Sequence, residues 1–218
     1  MMNRTFKRLI GATCISFCMT LSAQAALTEH DIVIYNQAAA GNEDQVEPAY
    51  QAFSQLIKQE GATPLTLVYL GGTQTLKGRD ARMPWKAMKH VEKGLASIDK
   101  GLTLLASETT PLTQQTVVTG LKESYLTRAL AASTYSQLPD MFNHFERGYE
   151  LFLTLLAEPE FQTQPFPASA WVYNYAIQAA LRADDLPQAS KWLAEMQIQD
   201  KTHPQTIEAQ QLIAKEKS

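Results

Sequence analysis

The chain has 218 residues, of which 45% are hydrophobic and 19% are charged, and its formal net charge is −3. A hydrophobic fraction of this size excludes a wholly disordered chain, and the length suits one domain with its own core. The acidic balance argues against general binding of nucleic acid, which needs a basic surface.

The first 25 residues have the three parts of a secretory signal peptide. Three basic residues, Arg4, Lys7 and Arg8, precede an uncharged run over 9–21, and small residues follow at 23 and 25. This run is short for a membrane span, which needs roughly 20 apolar residues, and no second such run follows. We therefore expect cleavage between Ala25 and Ala26 and a soluble periplasmic or secreted protein without a transmembrane segment.

Both cysteines, Cys14 and Cys18, lie in this leader, so the mature chain is expected to lack disulfides, cysteine metal ligands and thiol nucleophiles. A lipid anchor on Cys18 is the alternative, but Phe17 is bulky where a lipid-modification site has a small residue. Cleavage removes three basic and no acidic residues. The mature chain then has 16 basic and 22 acidic residues, a net charge of about −6.

The mature chain has the spacing of amphipathic helices throughout and few signs of strands. First helices are predicted at about 28–40, 64–78, 112–137 and 168–183, each followed by a helix with an apolar stripe. The stripes are Val46, Ala49, Tyr50, Phe53, Leu56 and Ile57; Met88, Val91, Leu95, Ile98, Leu102 and Leu105; Phe142, Phe145, Tyr149, Phe152 and Leu156; and Ala189, Trp192, Leu193 and Met196. Pro139 predicts a break before the third stripe, with Asp140 as the N-cap. The fold class is therefore all-α, and residues 26–218 form one domain of antiparallel helix hairpins.

An internal period resembles that of tetratricopeptide repeats, which are 34-residue helix pairs with small residues where the helices touch and a proline near the repeat end. The matching residues are Ala49 and Phe53, Pro64, Leu70-Gly71, Ala176 and Ala180, Ala189 and Leu193, and Pro204. The third repeat is degenerate, and residues 77–89 insert between helices.

The resemblance implies a short right-handed solenoid in which stacked hairpins leave a concave face built from first helices. Residues 203–216, with Ile207, Leu212 and Ile213 among polar groups, are predicted to form a C-terminal capping helix.

The sequence offers no pattern typical of catalysis, a cofactor or a metal. The four histidines, His30, His90, His144 and His203, lack partners at metal-ligand spacing, and no serine has a nucleophile-elbow motif. The pairs Glu43-Asp44 and Asp184-Asp185 are interpreted as caps and turns. Gly71-Gly72 is interpreted as a site of close helix packing, since it lacks the ending of a phosphate loop.

A basic cluster stands out in the region 77–93 and is the candidate partner-binding site. The candidate residues are Lys77, Arg79, Arg82, Trp85, Lys86 and Lys89, and Lys93 is the sixth basic residue of the cluster. Tryptophan, arginine and methionine are enriched where proteins bind each other. The alternative is a solvated loop whose Trp85 packs into the core.

A second candidate is the proline-bearing link 158–167, which contains Phe161 and Phe166. Their side chains either seal one end of the stack or contact a partner.

Three classes of function follow from these observations. The first is an interaction module that binds a segment of another envelope or periplasmic protein. The second is an accessory subunit of an envelope transport or assembly machine. The third, a hydrolytic enzyme on a helical scaffold, lacks every residue pattern that such chemistry requires.

Overall fold

A computed structural model describes residues 27–216, which form ten α-helices and one two-stranded β-ribbon. The elements are α1 Glu29–Ala39, α2 Val46–Glu60, α3 Pro64–Arg79, α4 Pro84–Ser107, β1 Val117–Val118, β2 Leu121–Lys122, α5 Glu123–Gln137, α6 Phe145–Ala157, α7 Pro159–Gln162, α8 Phe166–Arg182, α9 Leu186–Asp200 and α10 Pro204–Glu216. The predicted all-α class is confirmed. None of the helices in 27–216 is long and apolar enough to cross a membrane. The predicted signal peptide, with both cysteines, lies outside the described residues.

Local sequence sets where several helices begin. Thr28 and Thr63 each form a capping box at the start of α1 and α3, and Pro64 occupies the first helical position of α3. The Asp185 carboxylate accepts a hydrogen bond from the Gln188 backbone N–H at the start of α9, which confirms the predicted cap. Gly61, with φ of +88°, ends α2.

The helices pack as consecutive hairpins: α1 with α2, α3 with α4, α5 with α6, and α8 with α9. The first helix of each later hairpin contacts both helices of the hairpin before it. Thus α3 contacts α1 and α2, α5 contacts α3 and α4, and α8 contacts α5 and α6. The last helix, α10, contacts α8 and α9 in the same way. The buried apolar side chains form one continuous core.

Helices α3 and α4 approach each other most closely at their glycines. A Cβ atom on Gly94 would lie 2.6 Å from the carbonyl oxygen of Gly71, and one on Gly71 would lie 2.6 Å from that of Gly94. Gly78 and Gly101, one heptad further along each helix, are similarly crowded. These backbones therefore touch directly, which confirms the packing interpretation of Gly71.

The prediction of a helix over 112–137 is wrong in its first half. Residues 112–114 form a 3-10 turn, β1 and β2 pair antiparallel, and α5 begins only at Glu123. Thr119 and Gly120, at the turn of this ribbon, have positive φ angles of 50° and 86°. The adjacent β-branched pair Val117-Val118 favours extended backbone, and the Thr-Gly turn closes the ribbon.

Asp140 is not the N-cap of α6, because that position belongs to His144. Asp140 lies in a short 3-10 turn and forms an ion pair with Arg182 of α8. Its carboxylate is thus held by a residue 42 positions away in sequence rather than by its own helix.

The link after α6 has a packing role. Phe161 and Phe166 are buried, and the Phe161 ring meets Tyr125 edge to face with centroids 5.3 Å apart. In α10, Ile213 is buried and packs into the core, whereas Ile207 is exposed.

Candidate functional site

A groove of about 660 Å³ lies between the C-terminal halves of α3 and α5. Tyr35 and Ala39 of α1 border it, as does Tyr175 of α8. Further walls come from the start of α4 and from the segment after α5. The residues in these walls are Gly72, Thr75, Leu76, Gly78, Arg79, Pro84, Ala87, Met88, Val91, Ser133, Thr134, Gln137, Leu138, Pro139, Met141 and Phe142.

Two arginines tie first helices together on either side of this groove. Arg79, the last residue of α3, donates from Nη1 to the carbonyl oxygen of Ala38 near the end of α1, at 3.1 Å. Arg182, the last residue of α8, donates from Nη1 to the carbonyl oxygen of Ser136 near the end of α5, at 2.6 Å. Arg182 reaches a carbonyl in the last turn of α5, where a helix leaves carbonyls without an intrahelical donor, whereas the Ala38 carbonyl also accepts from the backbone N–H of Gly41 at 3.1 Å.

Gln137 occupies the corresponding last position of α5. Its Nε2 lies 3.5 Å from Oε1 of Gln178 on α8, so it does not reach back to α3. The ends of α3 and α5 therefore lack the arginine link found in the two flanking pairs, and the groove opens between them.

The serine and threonine hydroxyls in the groove wall donate hydrogen bonds within their own helices. Thr75 Oγ1 donates to the carbonyl oxygen of Gly72 at 2.7 Å, and Ser133 and Thr134 both donate to that of Leu130, at 3.0 and 2.8 Å. The hydroxyl protons of these three residues are therefore used within the protein, and most of the other lining residues are apolar, so the groove favours apolar side chains.

Tyr35 anchors the α1 end of the groove within an aromatic cluster. Its ring meets Phe53 and Tyr69 edge to face, with centroids 6.1 and 4.8 Å apart. Burial raises the pKa of Tyr35 to about 12, although a hydrogen bond with Thr134 acts in the opposite direction. The hydroxyl therefore stays protonated at neutral pH.

Several large apolar side chains are exposed around the N-terminus of α4 and the turn before α6. Trp85 is 68% exposed, Met141 is 66% exposed and Met83 is 43% exposed. The alternative in which Trp85 packs into the core is wrong. The reason is that Pro84, Ala87, Met88 and Val91 face the groove at helical spacing, which leaves Trp85 off that face.

The predicted basic site divides into two parts. Lys77 pairs with Glu47 at 2.7 Å, and Arg79 pairs with Asp80 while it caps α1. Arg82, Lys86 and Lys89 are exposed and form no ion pair with any residue in 27–216. Only Arg79 of these five lines the groove.

Several cations of this region lie close enough to His90 of α4 to affect its pKa. Burial lowers the pKa of His90 on α4, and the nearby positive charges of Lys77, Lys93 and Lys89 lower it further. The Lys77 hydrogen bond is the main cause of a lowered pKa at Glu47. The outer side of α4 is therefore electropositive, although the protein is acidic as a whole.

Asp99 and His144 contact neighbouring helices and turns through their side chains. Asp99 of α4 accepts hydrogen bonds from Tyr135 of α5, at 2.5 Å, and from Arg147 of α6. The His144 ring lies 5.1 Å from that of Tyr135. No group of three or more His, Cys, Asp or Glu side chains in this part of the chain is placed to hold a metal ion.

Sequence reasoning predicted a face built from first helices but named none of its residues. Tyr35, Thr134 and Tyr175 meet only in the folded chain, because they come from three helices. The sequence feature that could have indicated this groove is the polar Ser133-Thr134 pair within an alanine-rich helix.

A comparison with protein-family models, curated proteins and solved structures gave no match to this chain.

Proposed function

We propose that the four hairpins form a short right-handed array of the tetratricopeptide type, with α10 as its cap. The packing order supports this, since each first helix rests on both helices of the preceding hairpin. Full burial of Ala49, Ala176, Ala180 and Ala189 also supports it, because these residues match the small positions of the repeat.

We further propose that the protein is a non-enzymatic interaction module that holds a segment of another envelope or periplasmic polypeptide. The observation that carries this proposal is the groove of about 660 Å³, whose serine and threonine hydroxyls already donate hydrogen bonds within the protein. Helix-hairpin arrays bind extended partners along the surface of their first helices. An apolar side chain of the partner would enter between α3 and α5.

Blocking the groove tests this function. Gln137 is exposed and lines the groove, so Gln137→Trp places a large ring there without displacing a core side chain. Gln55→Trp, on the exposed side of α2, is the matched control. We expect immobilised wild type and Gln55→Trp to retain the same partner from a periplasmic extract, identified by mass spectrometry, and Gln137→Trp to lose it.

Two results would contradict the proposal. Equal retention by all three proteins would place the binding surface outside the groove. Failure of the wild type to retain any protein would leave no support for an interaction module. Equal melting temperatures of the three proteins serve as the folding control.

The proposed location of the protein in the periplasm depends on export, which is tested separately. The leader predicts that the protein from a periplasmic fraction begins at Ala26. N-terminal sequencing or intact-mass spectrometry measures this directly. A chain that retains Met1, or one that carries a lipid on Cys18, would overturn the assignment.

A further inference from the structure

The exposed face of α4 carries a stripe of lysines. Lys86, Lys89, Lys93 and Lys100 follow one another at intervals of three, four and seven residues, which places them on one side of the helix. All four are exposed. They extend over about 21 Å, given the rise per residue of an α-helix. Arg82, in the loop before α4, adds a fifth cation at one end. We call these five residues the cationic stripe.

No carboxylate in residues 27–216 pairs with any member of the cationic stripe. The acidic residues of α4 itself do not pair with the stripe: Glu92, three residues after Lys89, forms no ion pair with it, and Asp99 is bound to Tyr135 and Arg147. The other arginines in this part of the chain each bond to a carboxylate. Lys58, Lys191 and Lys201 also lack an ion pair in these residues, so what distinguishes the stripe is that its unpaired cations lie together along one helix face. The cationic stripe is therefore left with its charge available.

Helix stability does not explain this arrangement. Like charges three or four residues apart repel each other, and the stripe contains three such neighbours in succession. The first turn of α4 has no acidic residue and Met83 provides no side-chain cap, so Lys86 adds positive charge near the positive end of the helix dipole. Features that oppose local stability without a packing gain are expected at functional surfaces.

We propose that the cationic stripe, with Trp85 at its first turn, docks an acidic segment of a partner polypeptide. Carboxylates spaced along an extended or helical segment would pair with the lysines over the length of the stripe. The exposed Trp85 ring precedes Lys89 by one helical turn and supplies an apolar anchor beside the charges. Lys77 and Arg79 are excluded from this surface because both already have carboxylate partners.

A polypeptide fits this surface better than a lipid bilayer does. An interfacial helix buries a continuous apolar face in the membrane, but the apolar face of α4 lies in the core. Only Met83 and Trp85 add large exposed apolar side chains at this end of the helix.

The cationic stripe is separate from the groove, since Pro84, Ala87, Met88 and Val91 line the groove from another face of α4. The proposal thus adds a second binding surface to the proposed function, and variants can remove one surface without the other. Lys86→Gln/Lys89→Gln/Lys93→Gln, the stripe variant, removes three of the five positive charges of the stripe. Lys58→Gln/Lys191→Gln/Lys201→Gln, at exposed lysines elsewhere, is the matched control.

The experiment pans a display library of random 16-residue peptides against the protein and then measures the affinity of selected synthetic peptides by fluorescence anisotropy. We expect peptides rich in Asp and Glu to be enriched. Their affinity should fall about tenfold or more in the stripe variant, and it should stay unchanged in the lysine control and in Gln137→Trp. Added salt should weaken binding to the wild type, because exposed charges are screened beyond about 8 Å at physiological ionic strength. The melting temperature should not fall in any variant.

Other outcomes would overturn the proposal in distinguishable ways. If the enriched peptides had no excess of Asp and Glu, the stripe would not be the binding site. The same conclusion would follow if acidic peptides bound the stripe variant but not Gln137→Trp, and the groove would then be the binding site. Failure to enrich any peptide would count against both surfaces. Stripe-dependent sedimentation with phosphatidylglycerol vesicles, without acidic peptides, would identify a membrane ligand. Stripe-dependent dimers in analytical ultracentrifugation would identify a second copy of this chain.

Discussion

Replacing Phe53 or Phe152 with alanine is expected to lower the free energy of unfolding by about 3 to 5 kcal/mol. Both side chains are 0% exposed, and each substitution removes a buried ring and leaves a cavity. The Phe53 ring stacks on Tyr69 with centroids 4.8 Å apart and also supports Tyr35 at the end of the groove. Urea unfolding followed by far-ultraviolet circular dichroism measures the change for each variant.

Leu153→Ala is the control for these two substitutions. Leu153 follows Phe152 on α6 but is 36% exposed, so its loss should cost far less. If Phe53→Ala or Phe152→Ala unfolded at the same urea concentration as wild type, that ring would not belong to the core. Phe53→Ala should also weaken groove binding more than Phe152→Ala does, since only Phe53 contacts Tyr35.

The second helices were predictable because each buries a single stripe. In α2, Ala49, Phe53 and Leu56 recur at helical spacing and are all buried. The stripes of the first helices α1, α3 and α5 are weaker, yet three of the four ranges predicted for first helices, 28–40, 64–78 and 168–183, lie within two residues of the observed bounds. In α3, every residue from Pro64 to Tyr69 is buried, so its bounds follow from the Thr63 cap rather than from a stripe.

The start of α5 was predicted too early because residues 112–122 combine apolar spacing typical of a helix with residues that favour extended backbone. The β-branched Val117 and Val118 favour extended backbone, and Gly120 provides the positive φ that closes the turn. Leu121 then packs with 0% exposure, so the core stabilises the ribbon. A Thr-Gly pair is a weaker hairpin signal than Asn-Gly, and the apolar spacing beyond Glu123 masked it.

The site could be predicted from sequence only in part. The charge of the region 77–93 is visible in the chain, but the partners of individual cations are not. Lys77 pairs with Glu47, 30 residues away, whereas Lys89 pairs with no residue in 27–216. The groove depends on helices that are distant in sequence. Gln137 is the last residue of α5, the position at which Arg79 of α3 and Arg182 of α8 bond to the preceding first helix. Gln137 makes no such bond to α3, and the groove opens there.

The close approach of α3 and α4 predicts that Gly94→Ala destabilises the fold, although alanine favours a helix over glycine by about 1 kcal/mol. The new Cβ would lie 2.6 Å from the Gly71 carbonyl oxygen and 2.7 Å from Thr75 Cγ2, so the two backbones must separate. We expect a net loss of about 2 kcal/mol, within the range typical of overpacking. Ala96→Gly, at an exposed position on the same helix, isolates the helix-propensity effect and should itself cost about 1 kcal/mol.

Gly71→Ala should destabilise the protein for the same reason, since its Cβ would lie 2.6 Å from the Gly94 carbonyl oxygen and 2.5 Å from Ile98 Cγ1. The double variant sharpens the test. Once either methyl group has forced α3 and α4 apart, the second methyl group enters a wider gap. The double variant should therefore lose less free energy of unfolding than the sum of the losses in the two single variants. Urea unfolding of both single variants and the double variant measures this coupling. A gain in stability for Gly94→Ala would mean that the backbones are far enough apart to admit a side chain, and that helix propensity alone sets the effect.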